Sequence, residues 1–137
     1  MWIYHHPDAF LHDTGPAHPE RPERLAPLIQ TLEERARAGA WTIVAPGGAS
    51  GDDLALLHAV SYGEEMRTAA QRGLAHLHTP DCPVSPGTWR AALLSAGAAV
   101  EAAAAVMEGK TACALSVLRP PGHHARRERA MGFCYFN

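Results

Sequence analysis

The chain has 137 residues, 47% hydrophobic and 19% charged, with a formal charge of −2 at neutral pH. That composition is globular, enough for a core in at most one domain, and it excludes a disordered or fibrous chain. The near-neutral charge provides no field to hold nucleic acid or an anionic membrane surface.

Trp2-Ile3-Tyr4 reads as an opening strand, stopped by His5-His6-Pro7. A turn-rich loop over 8–21 leads to Pro22, a residue suited to the first turn of a helix. Leu25, Leu28, Ile29, Leu32 and Ala36 then recur at helical spacing, with Gly39 placed as a C-terminal cap. Pro27 is either tolerated in the opening turns or kinks them. Residues 41–44 predict a second strand, closed by Pro46-Gly47-Gly48. Asp52-Asp53 is expected to cap a short helix carrying Leu54, Leu57 and His58. A further helix is expected over about 61–72, ending near Gly73, before a proline-broken loop over 74–87. Thr88 opens the longest helix, which Gly109 ends. Trp89, Leu93, Ala96, Val100, Ala103 and Met107 mark the face expected to be buried. The mostly apolar run 112–118 predicts a strand covered on both faces.

Strands separated by helices imply parallel pairing and an α/β layer architecture. No uninterrupted apolar run approaches the roughly 18 residues of a membrane span, and the start has no signal-peptide core. Cys82, Cys113 and Cys134 are too dispersed for a disulfide framework or a zinc knuckle, so a reducing cytoplasm is expected. Cys113 and Cys134 read as buried small hydrophobes.

In open parallel sheets, function gathers in loops beyond the carboxyl ends of the strands. Directly after 112–118 comes Arg119-Pro120-Pro121-Gly122-His123-His124-Ala125, then Met131-Gly132-Phe133-Cys134-Tyr135-Phe136-Asn137. The prolines and glycine build a stiff turn holding two imidazoles. Histidine titrates nearest neutrality, so a positioned pair can divide the work of base and charge stabiliser. A His-His dipeptide alone means little, and His5-His6 reads as loop. His12 and His18 are metal ligands by type, but the proline and glycine between them favour structural hydrogen bonding. His76 and His78 read as solvent-facing, and Arg126 to Arg129 as a solvated charge run. Phe133 taken apart from its motif reads more readily as a core aromatic.

Taken together, RPPGHHA and MGFCYFN resemble the signature of histone deacetylases and their bacterial relatives, the acetylpolyamine amidohydrolases and acetoin-utilisation proteins. The stretch from His12 to Leu25 is similar to that family's first loop, and Thr79-Pro80-Asp81 through Trp89 resembles its class II-like bacterial branch. The resemblance implies an arginase/deacetylase-like three-layer fold with a parallel sheet, residues 1–137 being the N-terminal part of one catalytic domain. It implies that His124 is the main general base and acid, with His123 in electrostatic support. Gly132 and Phe133 match the wall of the tunnel that receives the substrate stem, and Arg24 an arginine beside an internal cavity. The reaction implied is zinc-dependent hydrolysis of an acetyl amide, on acetyl-lysine or acetylpolyamine.

In that family the zinc ligands, two aspartates and a histidine, lie downstream of the Gly-Phe-Cys segment. They are therefore expected beyond Asn137, with no metal ligand in this chain. The isolated chain is expected to be inactive and to self-associate through apolar faces and an unpaired strand edge. The alternative is a non-catalytic relic or binding module. An unrelated α/β hydrolase lacks its Gly-x-Ser-x-Gly elbow here.

Overall fold

The computed structural model describes residues 1–137. Three short strands, β1 (Trp2–Tyr4), β2 (Thr42–Val44) and β3 (Ala114–Ser116), form one parallel sheet in the order β2-β1-β3. Ile3 is in register with Ile43 on one side and Leu115 on the other. Parallel neighbours need long crossovers, and both crossovers here are helical. The helix α1 (Ala26–Arg37) joins β1 to β2, while α2 (Gly51–Ala55), α3 (Val60–Arg72) and α4 (Thr88–Met107) occupy the passage to β3.

Side chains alternate between the two faces of a strand, and this alternation builds the layers. Ile3 packs with Ile29 and Leu32 of α1 and with Val117. Its neighbour Tyr4 points the other way and packs with Ala98 and Ala105 of α4. Helices therefore cover opposite faces of the sheet, giving three layers. A third cluster joins Tyr62, Met66 and Ala69 of α3 to Ala92 of α4 and to Ala130, Tyr135 and Phe136. That cluster fastens the segment after the histidine pair to the helices.

Several elements differ from expectation, each for a local reason. Pro22 opens a 3-10 turn (Pro22–Arg24), and α1 begins only at Ala26, with Pro27 in its first turn where no N–H is needed. The cap of α2 is Ser50, not the Asp pair. Its hydroxyl accepts from Asp53 N at 3.1 Å while the Asp53 carboxylate accepts from Ser50 N at 2.8 Å, a reciprocal capping box. The helix ends at Ala55, so His58 lies beyond it, buried.

The buried face of α4 is Ala91, Ala92, Leu94, Gly97, Ala98 and Ala105. Of the face expected to be buried, Trp89, Leu93 and Ala96 are half-buried, whereas Val100 is 50% and Met107 87% exposed. Small residues prevail because the helix approaches backbone: a Cβ on Gly97 would lie 2.6 Å from Ala49 N. Nor is β3 covered on both faces, since Leu115 is 45% exposed. Cys113, at its start, is exposed where a buried thiol was expected, and all three cysteines are free. By length and composition α4 is apolar enough to cross a membrane, which the count of uninterrupted apolar residues did not anticipate. In the structure this helix lies on the sheet and carries part of the core.

Candidate active site

The histidine pair lies just beyond β3, at the carboxyl end of a parallel strand. The ladder continues to Val117, whose N–H donates to Tyr4 O at 2.9 Å. The chain then turns through Arg119, Pro120 and Pro121, the Arg119–Pro120 peptide being cis. The imidazoles of His123 and His124 follow, both exposed, with ring centroids 4.3 Å apart. His123 shares the lining of a cavity of about 580 Å³ with Phe133, Arg24, Glu20, Leu118 and Arg119. His124 instead stands against Gly132.

The Gly132-Phe133 turn is backbone-determined. Both residues have positive φ, +60° and +68°. For phenylalanine this left-handed conformation costs about 1–2 kcal/mol and persists only where the surroundings enforce it. The surroundings are visible. The Phe133 ring meets His18 edge to face at 4.7 Å, and Asp81 accepts from Gly132 N at 3.0 Å. A Cβ on Gly132 would come within 2.7 Å of the His124 ring. The glycine therefore makes room for the catalytic-candidate imidazole itself.

Beneath the pair lies a buried ionic anchor. Arg119 is 2% exposed, and its Nη2 donates to Glu20 Oε2 at 2.8 Å and to Glu20 O at 2.6 Å. Its Nε bonds both Glu20 carboxylate oxygens at 3.1 and 3.2 Å, and its Nη1 bonds Ala9 O at 3.0 Å and also His12 O. One guanidinium thus ties the loop over residues 9–20 to the root of the His-His turn. Arg24 reaches the same Glu20 carboxylate at 3.5 Å from a half-exposed position at the cavity wall.

His12 and His18, both of this loop, are each engaged in a hydrogen bond. His12 bonds Thr88 Oγ1 through Nδ1 at 2.8 Å, and His18 Nδ1 accepts from Glu20 N at 3.1 Å. Burial, and then the Arg119 guanidinium, push the His12 imidazole down to about 3. The 3.8 Å approach of its Nε2 to Glu20 is therefore no ion pair at neutral pH. In the unfolded chain His12 titrates near 6.5 and in the folded chain near 3, so between these values only the unfolded chain binds the proton. Stability from this group is complete above the unfolded value and lost as pH falls toward the folded one. Urea midpoints taken in steps from pH 7 to pH 4 should fall less steeply for His12→Asn, which has nothing to titrate. Equal slopes would remove His12 from the acid response.

Sequence reasoning missed Arg119 and Glu20 as a pair, although both stood inside quoted motifs. His78 is exposed, as expected, but its hydrogen bonds were not foreseen. Its Nδ1 accepts from Ala130 N at 2.9 Å and its Nε2 lies 3.2 Å from Glu65. His6 Nδ1 accepts from Asp8 N at 3.1 Å, and His5 Nδ1 lies 3.1 Å from Val117 O, so the first dipeptide is structural. No group of three His, Cys, Asp or Glu side chains is arranged to hold a metal ion. These residues alone do not fit a zinc site.

Known proteins match this chain along most of its length. Residues 18–137 match the histone deacetylase domain. A probable deacetylase of Archaeoglobus fulgidus is 36% identical over 137 residues, covering 98% of this chain and 38% of that protein. An acetylpolyamine amidohydrolase of Burkholderia pseudomallei is 50% identical over 72 residues, 53% of this chain and 21% of that one. The crystal structure of the HDA15 HD domain superposes with a TM-score of 0.89 at 28% identity, covering 98% of this chain and 39% of that chain. The chain thus spans under two-fifths of the length of these relatives. Over the span it has, the parallel sheet, the strand-end histidines and these matches place it in the histone deacetylase family.

Proposed function

We propose that the intact protein carrying these residues hydrolyses an acetyl amide, on acetyl-lysine or an acetylated polyamine. The observation that supports this most is the strand-end pair, two imidazoles 4.3 Å apart with Phe133 and His123 on one cavity. In this reading water attacks the acetyl carbonyl carbon while His124 takes its proton. His124 returns that proton to the amine nitrogen as the C–N bond breaks, and the water's second proton passes from the acetic acid to the amine, leaving acetate and an ammonium. His123 stabilises the charge that develops beside it, and Phe133 walls the channel for the substrate stem. Arg24 contributes positive charge to the cavity wall. The family uses zinc, which when bound polarises a carbonyl and acidifies water; its ligands are proposed to lie outside residues 1–137. Three free cysteines fit the reducing cytoplasm proposed for the protein. The test is turnover of an acetyl-lysine peptide and an acetylpolyamine by the intact protein. Failure on both after metal loading would overturn the reading.

The 137-residue chain by itself should neither bind zinc tightly nor turn over these substrates, since a catalytic zinc site normally uses three protein ligands. It should also self-associate. The outer edges of β2 and β3 have no strand partner, and Leu115, Val100 and Met107 are exposed nearby. Calorimetric zinc titration and sedimentation velocity check both statements. Sub-micromolar one-to-one zinc binding, or a monodisperse monomer, would contradict them.

A further inference from the structure

His58 is the one buried histidine whose two ring nitrogens both hold backbone of a single distant segment. It is 2% exposed. Asn137 N donates to its Nε2 at 3.0 Å. A backbone N–H can only donate, so Nε2 is the unprotonated nitrogen and Nδ1 carries the hydrogen. Nδ1 then donates to Arg126 O at 3.0 Å. The neutral ring therefore spans both ends of the segment 126–137, and Ala59 N adds a bond to Arg127 O at 2.9 Å. Between those ends lie Gly132, which abuts His124, and Phe133, which lines the cavity.

We propose that His58 is a positioning residue for the candidate active site, a two-ended clasp that fixes the Gly132-Phe133 wall and thereby the place of His124. The activity part rests on the functional reading above, and the clasp itself does not. Its surroundings favour the neutral ring. Tyr62 and Phe136 pack against it with centroids 5.3 and 5.5 Å away, and burial holds the imidazole below its ordinary value. Among charged groups, Glu64 shares the small cleft beside it and is paired with Arg67, while the Arg126 and Arg127 side chains are exposed. A protonated ring would turn its Nε2 into a donor facing the Asn137 N–H, and the clasp would open at that end. Tyr62 Oη donates to Tyr135 O at 2.6 Å near the Asn137 end. His78 and Asp81 accept from Ala130 N and Gly132 N in the middle, so among these contacts only the His58 ring joins the two ends.

The test uses two variants of the intact protein. His58→Phe keeps the ring volume and removes both bonds; His58→Gln carries an amide oxygen able to reach the Asn137 N–H. Hydrogen exchange followed by mass spectrometry should quicken over 126–137 in the phenylalanine variant, stay unchanged over α1, and recover in the glutamine variant. Catalytic turnover should fall about ten- to hundredfold in the phenylalanine variant, as expected for misplacement by an ångström or less, and return within about threefold in the glutamine variant. Unchanged exchange over 126–137 would overturn the clasp. Faster exchange everywhere would make His58 a general stability residue and overturn the positioning role, as would a local change without loss of turnover. A wild-type protein inactive on all acetyl amides overturns the functional reading, while exchange still decides the clasp.

Discussion

Arg119→Met should destabilise the protein by about 3–5 kcal/mol, the usual cost of removing one partner from a buried ion pair. The methionine fills much of the volume but leaves Glu20 as a charge with only Arg24, half-exposed and 3.5 Å away, to face it. Carbonyls of Ala9 and His12 lose the Arg119 donor in the same step, and that of Glu20 keeps only Thr14 Oγ1 at 3.3 Å. Buried acceptors left without partners cost more than the bonds had contributed. Glu20→Gln in the same background should recover part of the loss, because an amide no longer strands a charge. Urea denaturation of the single and double variants forms the cycle. A loss below about 1 kcal/mol for Arg119→Met would put the pair in the class of exposed salt bridges.

The contrast between legible and illegible features follows from the distance at which each is decided. Strands at 2–4 and 42–44 and the helix ending at Gly73 follow from local chemistry, since β-branched runs and a left-handed glycine need no tertiary partner. The motif around His123 was equally legible because a rigid turn follows its strand within a few residues. What was not legible required partners far along the chain. The buried face of α4 is decided by the close approach of the 47–49 backbone to Gly97, not by where its larger apolar residues fall. The exposed faces of β3 and α4 match a chain that spans only part of its relatives. Arg119 looked like a motif letter, yet its guanidinium fork meets a carboxylate 99 residues earlier. His58 read only as a residue of a short helix, and only the fold reveals that its two nitrogens meet positions 126 and 137.

His124→Ala should lower kcat of the intact protein by roughly 10²–10⁴-fold with little change in KM, the range for a positioned proton-transfer group. Its imidazole is exposed, adjoins His123 at 4.3 Å between ring centroids, and is kept in place by the absence of a Cβ at Gly132. Nothing in that setting contributes to holding a substrate stem, so ground-state binding should survive the change. Phe133→Ala should do the opposite. Its ring lines the cavity and packs edge to face on His18, so its loss removes apolar contact that bound and reacting substrate share. Uniform binding of this kind appears in KM and leaves kcat nearly unchanged. Alanine keeps the Cβ and so bears the same left-handed cost at φ +68°, which leaves the backbone of the turn no more strained than before. Steady-state kinetics on an acetyl-lysine peptide and an acetylpolyamine separate the two effects. If His124→Ala raises KM while Phe133→Ala lowers kcat, the roles of base and wall have been assigned to the wrong residues.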